Sequence, residues 1–418
     1  MIHIHPFSAL RPAADNAPDV ASDPYDVIST DEARERAAGK PCSYLHVVRS
    51  EIDLPLGTDC HDAAVYKKAS DNLQKMIDDT TLVRDAHPSL YLYRQIREGV
   101  SQTGVVACVE AQQYRSGEIR KHEKTRPDKE DDRTRHMLVT ACHAEPVFLC
   151  FRDATHGSDS IAERMKTDMA SSPLFDFIAP DGVQHTGWQI ADSQQYVEAF
   201  KKLDRLYIAD GHHRSAGAER AATASEQANT DHSGDEEYNR FLSVIFPHDQ
   251  LRILPYNRVV ADRNGLSSEA FLDQLRTVGS LEPATAGTPS QQGQVLIFVS
   301  GQWWLLTFPA SSIDHNDPIG SLDVALLQDR ILAPILGIGD PRTDSRISFV
   351  GGIRGCKELE DRAGESGVAF SMHATSADEL LAVADADEIM PPKSTWFEPK
   401  LRSGLFVHTF ERIDGALT

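Results

Sequence analysis

The sequence predicts an α+β protein of mixed and antiparallel sheets, with hairpins interleaved with helices. Three observations carry this. Apolar runs of strand length come in pairs around turn residues, and amphipathic stretches with helix start and stop signals lie between them. The two kinds of segment do not alternate as a parallel βαβ fold requires, and no self-similar period is visible.

Taken in order, Thr30 to Ala38 has a capping residue, acidic Asp31 and Glu32 in its first turn, and Gly39 and Pro41 as stop signals, which predicts a short helix. His61 to Ile77 places Ala69, Leu73, Met76 and Ile77 on one helical face. Leu90–Ile96 and Gly104–Glu110 read as a hairpin around Glu98–Thr103, followed by a charged loop from Arg120 to Arg133 and a helix through Leu138. Pro146–Phe151 and Val183–Ile190 read as strands, with helices at Ser158–Ala170 and Gln194–Leu203. Arg205–Ala209 is a short apolar strand, and the Ala-rich Ser215–Ala228 a helix. Phe241–Phe246 with Leu251–Val260, and Val295–Val299 with Trp303–Phe308, are two further expected hairpins. Leu322–Leu336 is the most apolar expected helix; strands at Ile347–Val350, Val368–Met372 and Leu405–Phe410 and helices at Ile353–Arg362 and Ala377–Ala386 complete the reading. The Pro-, Gly- and Ser-rich stretch from Ala284 to Gly293 is the best linker, so domains are expected at 1–283 and 284–418.

The chain has 418 residues, 42 Lys and Arg against 63 Asp and Glu, and a net charge of -21. A surface this negative repels phosphate backbones, so duplex nucleic acid is not an expected partner, nor is an anionic membrane. A small anionic ligand in a pocket of opposite sign remains compatible. The six cysteines show no C-x-x-C pair and read as free thiols. No signal-peptide pattern opens the chain and no apolar run is long enough for a membrane span, so a cytoplasmic location is expected. The oligomeric state is not legible.

Phosphate-loop, dinucleotide-fold, serine-hydrolase and zinc-protease motifs are absent; His122-Glu123 opens like the last, but Arg126 stands where its second histidine belongs. Four segments are chemically dense. In Tyr207–Arg214, an apolar strand runs into Asp210-Gly211-His212-His213-Arg214 and then a helix. Gly211 permits close approach, the helix start offers unpaired N–H groups, and Arg214 adds a bidentate donor, so a phosphate or carboxylate is well held there. Asp210 fits beside an anion if it binds Mg²⁺ or acts as a base; the plainer alternative is a capping Asp with two structural histidines.

His122–Arg133 reads either as a solvated charge run or as a site loop, with Glu123 as base, Lys124, Lys129 and Arg133 on phosphates, and Asp132 on a metal. Met390–Lys400 is stiffened by two prolines and offers Lys393, Ser394, Thr395 and Lys400 to an anion, or else is a rigid surface loop anchored by Trp396 and Phe397. Pro24-Tyr25-Asp26-Val27-Ile28-Ser29 is explained largely as a turn before the first helix.

Together with Pro6-Phe7, Leu10-Arg11-Pro12, Leu90–Arg94, Thr125, Lys129, Asp132-Arg133 and Pro255–Val260, these segments form an ordered set. In it the chain resembles the bacterial and archaeal family called domain of unknown function 1015, which carries no established activity. The five residues Asp210–Arg214 also resemble the nucleotide-phosphate turn of the ParB/sulfiredoxin-like fold, which includes free-serine kinases, and in those kinases a Glu serves as base; Glu123 is the matching candidate. The expected function is a nucleotide-dependent phosphotransferase using ATP or ADP and Mg²⁺ on a small polar metabolite such as a free hydroxy amino acid. In that reading Glu123, Asp210, His212 and His213 are catalytic. Gly211, Arg214, Lys124, Lys129, Arg133, Lys393, Ser394, Thr395 and Lys400 bind the cofactor, and Asp210 and Asp132 the metal. The alternatives are a metal-dependent phosphoesterase, with His212 or His213 as acid or base, and a non-enzymatic protein that holds an anionic metabolite.

Overall fold

The computed structural model describes residues 1–153 and 160–416. By packing, the chain divides into Met1–Leu251 with Pro399–Thr418, and Arg252–Glu398. The divisions therefore fall at 251/252 and 398/399 rather than at 283/284. The segment from 284 to 293, expected as a linker, joins two strands inside the second unit; Pro, Gly and Ser mark any exposed connection, not only one between domains.

The first unit is built on a mixed sheet of β1 (Ile4–His5), β2 (Tyr91–Arg97), β3 (Val100–Glu110), β4 (Ile119–Arg120), β5 (Val147–Phe151), β6 (Phe175–Ile178), β7 (Gln184–Gln189), β8 (Leu206–Asp210) and β9 (Arg240–Pro247). Its order is β4-β8-β5-β9-β3-β2-β7-β6, with β1 on β3. Glu98 and Gly99, both at positive φ, close the β2–β3 hairpin, so the turn is two residues long and Val100–Thr103 already belong to the strand. β9 does not form a hairpin with the next apolar run: it pairs with β3 and β5, while that run enters the other unit.

The longer helices of this unit include α1 (Thr30–Ala37), α2 (Ala63–Asp78), α3 (Pro127–Thr140), α4 (Ile161–Asp168), α5 (Ser193–Phe200) and α6 (His212–Ala228). Ser29 and Glu32 form a capping box on α1. The expected start of α4 at Ser158 lies outside the described residues. The charged stretch expected as a loop to Arg133 is helical from Pro127, whose fixed φ suits the first helical position. Ile4, Leu92, Val105, Leu149, Ile208 and Ile245 of the sheet join Ala218, Ala221 and Ala222 of α6 in one core. Alanines let α6 lie close to its neighbours. At Gly217 the approach is closest: an added Cβ would stand 2.9 Å from Arg133 Cβ and 3.2 Å from the Thr134 nitrogen of α3.

The C-terminal segment threads back through this unit. Ser403 exchanges backbone hydrogen bonds with Ser22, Val407 with Leu10, and His408 pairs with His143. Only His408–Thr409 of the expected last strand is extended in a ladder. All six cysteines are free thiols, and Cys108, Cys142 and Cys150 are buried. Among the described residues no helix is long and apolar enough to cross a membrane.

The second unit holds β10 (Tyr256–Val260), β11 (Ser280–Ala284), β12 (Gln294–Val299), β13 (Gln302–Thr307), β14 (Ile347–Gly351) and β15 (Val368–Met372) in the order β11-β13-β12-β15-β10-β14. Its helices include α7 (Ser268–Val278), α8 (Asp323–Leu327), α9 (Gly355–Ala363) and α10 (Ala377–Asp385). The expected long helix from Leu322 to Leu336 ends early as an α-helix. It widens to π geometry over Gln328–Leu332, where Ala333 N–H reaches back to the Gln328 carbonyl just before Pro334.

Gly217→Ala tests the α3–α6 contact. Helix propensity alone favours alanine by about 1 kcal/mol, but the added methyl meets a Cβ and a backbone nitrogen that cannot swing away. A net loss of about 1–2 kcal/mol is expected, read as a lower urea midpoint at unchanged slope.

Candidate functional site

β8 is buried along Leu206–Ala209, and its register with β5 shifts between Ile208 and Asp210. Ala209 is the additional residue, and such an irregularity re-aims the side chain that follows it, here Asp210. Gly211 then adopts φ 97° and ψ 32° and serves as N-cap of the 17-residue α6, with no side chain capping the helix. A Cβ there would lie 3.1 Å from Arg214 Cζ and Nε. The turn needs glycine for its left-handed backbone and for the guanidinium packed against it. The Ser215 N–H closes the first helical bond onto the Gly211 carbonyl at 2.9 Å.

Arg214 is 2% exposed. Its Nη1 donates to the Pro146 carbonyl (2.6 Å) and its Nη2 to Asp210 Oδ2 (2.9 Å), with Asp26 Oδ2 at 3.9 Å. Asp210 Oδ1 accepts from Lys400 Nζ at 3.2 Å. The Lys400 carbonyl is held by Gln95 Nε2 of β2 at 2.8 Å, and the Pro399 carbonyl by Gln102 Nε2 of β3 at 3.4 Å. Burial works to raise the Asp210 carboxyl, but the Lys400 and Arg214 charges override it and hold Asp210 ionised far below the usual carboxylate range.

Glu123, in the loop between β4 and α3, is exposed, with Oε2 3.9 Å from His212 Nδ1. The His212 ring is buried and packs edge-on against His122 at 4.4 Å between centroids. Its Nε2 faces the His122 N–H at 3.5 Å, and His213 Nε2 accepts the Arg126 N–H at 3.1 Å. Burial, reinforced by His122, keeps His212 neutral, and burial pushes His122 down to about 4 against the pull of Asp210. The Asp210–Arg214 turn, Lys400 and Glu123 are thus gathered around the start of α6. Lys124 is exposed in the same loop, and Lys129 is half-buried in the first turn of α3.

Arg133 and Asp132 depart from expectation. Arg133 is buried, bonded to Asp132 Oδ2 (2.7 Å), 3.5 Å from Glu145 Oε2, and stacked on Tyr25 with Cζ 3.8 Å from the ring centroid. Asp132 also accepts from Tyr66 Oη (2.8 Å) and faces His61 Nδ1 (3.2 Å). Arg133 is therefore a structural cation rather than a phosphate ligand. Asp132 and Asp210, the expected metal ligands, are each paired with a guanidinium, Arg133 and Arg214, so their charge is already met by protein cations. The charge run conceals this because α3 turns alternate faces of it inward. Tyr25, Asp26 and His122 stand in segments the sequence marks out but gives no role, and Glu145 is not marked out at all. Glu145 Oε1 accepts the Tyr25 N–H (2.9 Å) and the Ser403 hydroxyl (3.1 Å).

Lys393, Ser394 and Thr395 belong to the second unit. There the Arg258 guanidinium donates to the carbonyls of Lys393 (3.1 Å) and Pro392 (3.4 Å), Lys393 takes a positive φ of 57°, and Ser394 Oγ donates to the Pro391 carbonyl at 2.7 Å. The Ser394 carbonyl accepts from Thr375 Oγ1.

Neutral buried histidines give a pH dependence. His122 titrates from an ordinary 6.5 when unfolded and from about 4 when folded. Between those values the unfolded chain binds the additional proton, so stability rises with pH through this window and falls as pH drops from 6.5 to 4. The slope is about 1.4 kcal/mol per pH unit for one such group. Urea unfolding of His122→Gln between pH 7 and pH 4 should show a slope smaller by about that amount.

A family model described as "Protein of unknown function (DUF1015)" matches residues 4–325. No curated protein matches the chain. Among solved structures, C-terminally truncated SbnI from Staphylococcus aureus is similar at 11% identity, covering 72% of this chain and 87% of that one with a TM-score of 0.38. A free serine kinase in complex with AMP is similar at 13% identity over 74% and 93%, with a TM-score of 0.35. A conserved hypothetical protein from Pyrococcus furiosus stands at 12% over 72% and 94%, with a TM-score of 0.34. These likenesses are too slight to argue from. The family match, spanning most of the chain and both ends of the turn and loop that build this site, does carry a conclusion: the protein belongs to the DUF1015 family.

Proposed function

We propose that the first unit binds a phosphate-bearing small molecule, a nucleotide such as ATP or ADP, at the first turn of α6. We propose further that it passes a phosphoryl group to the hydroxyl of a small polar metabolite. The observation that carries this reading is the Asp210 carboxylate clamped between Lys400 and Arg214 at an uncapped helix start. Neutralised from both sides, Asp210 repels an anion little. The helix N–H groups, the partial positive charge of the helix end and Lys400 then face the phosphate. Phosphoryl transfer asks mainly for such positioning and charge.

Glu123 is the group suited to take the proton of the accepting hydroxyl, being exposed and beside this turn. His212 is buried and held neutral, which favours a positioning role for it over that of a general acid.

Calorimetry with ATP, ADP and pyrophosphate in the presence of Mg²⁺ should show binding of at least one of them. Lys400→Ala should weaken it by about tenfold or more, the loss of one charge-assisted hydrogen bond. Glu123→Gln should retain binding while phosphorylation of free serine or a related hydroxy compound, followed by mass spectrometry, drops by about 10²–10⁴. Absence of binding by the native protein to all three compounds ends the reading.

A further inference from the structure

We infer that Glu145 is a positioning residue that presents Lys400 and Asp26 to the first turn of α6. Glu145 is 6% exposed and sits directly before Pro146, whose carbonyl holds Arg214. One of its oxygens accepts from two segments remote in sequence, the Tyr25 N–H at 2.9 Å and the Ser403 hydroxyl at 3.1 Å. The other faces Arg133 of α3 at 3.5 Å.

The Tyr25 and Ser403 contacts each lead by a short covalent path to a residue that faces the turn. Tyr25 precedes Asp26, whose carboxylate lies 3.9 Å from Arg214. Ser403 follows Lys400 by three residues, and Lys400 clamps Asp210. Ser403 is also bonded through its backbone to Ser22, so the N-terminal and C-terminal segments are tied to each other and to Glu145 at one place. Gln95 and Gln102 fix the Pro399–Lys400 backbone from the side of the sheet. Glu145 fixes the other end of that stretch. A lysine anchored at both ends of its segment keeps its ammonium in one place, which matters because a long side chain otherwise spreads over many rotamers.

Glu145→Gln preserves size and an accepting oxygen but removes the charge that faces Arg133. The readouts are the acetylation rate of Lys400 by an amine-reactive ester, followed by peptide mass spectrometry, and ADP affinity by calorimetry. Met165→Ala, a truncation in the core of α4, serves as a control for general destabilisation. Glu145→Gln is expected to raise Lys400 acetylation several-fold and to weaken ADP binding by about tenfold, with Met165→Ala changing neither at a comparable loss of melting temperature. Equal effects of the two variants on Lys400 would overturn the inference. Should Glu145→Gln fail to fold, Ser403→Ala cuts the same link and must raise Lys400 acetylation, or the inference fails. The affinity arm rests on the phosphate-binding reading and the acetylation arm does not. A native protein without affinity for ATP, ADP or pyrophosphate, but with Lys400 released in Glu145→Gln, would therefore end that reading while upholding this one.

Discussion

A row of alternating charges organises the first unit: Asp132, Arg133, Glu145 and Arg214, which are buried, and Asp210 and Lys400, which are partly exposed. Burial penalises the charged forms of Asp132, Arg133, Arg214 and Asp210, and neighbours of opposite sign hold these four ionised; at Glu145 burial wins, and the proton affinity is raised in spite of Arg214 and Arg133. Such a row contributes little net stability compared with an apolar core, yet removing one member strands another. Its consequence is geometric. It ties together five separate pieces of chain (Tyr25–Asp26, α3, Glu145–Pro146, the β8–α6 turn and the returning C-terminal segment), and it does so where an apolar contact could not dictate direction.

The row can form only because α3 and α6 come close, and that closeness depends on small side chains. Gly217 faces Arg133 Cβ across the contact, and Ala218, Ala221 and Ala222 line the buried side of α6. The low apolar content of this helix is thus part of the site's construction. A bulkier α6 would hold Arg133 away from Glu145, and with it the stacking of Arg133 on Tyr25.

What could be read in the sequence was local. Asp210–Arg214 announces itself because strand, glycine turn and helix follow within a few residues, and the left-handed Gly211 is the kind of position that glycine marks. The boundary of α3 was also present as Pro127, but a dense run of charge masks it, since such runs occur on solvated helix faces and in loops alike. Arg133 looked like a free cation for the same reason; only the fold shows that its partners stand 12 residues downstream and 108 residues upstream, at Glu145 and Tyr25. Glu145 carries no sequence signal at all, because everything it binds is remote. The supposed hairpin after Phe241 failed similarly: β9 finds better partners in β3 and β5 than in the next apolar run.

The electrostatics of the whole chain and of the site point in opposite directions, and distance decides between them. A net charge of -21 spread over the surface is screened beyond about 8 Å at physiological ionic strength. A ligand at the α6 turn therefore responds chiefly to Lys400 at 3.2 Å from Asp210, Arg214 at 2.9 Å, and the helix end. Within that radius Asp210 is matched by two cations while Asp26 also faces Arg214, so in the proposed reading Lys400 and the helix end carry the preference for an anion. On that reading a small phosphate answers to these local charges, whereas a polyanion also meets the acidic surface around them.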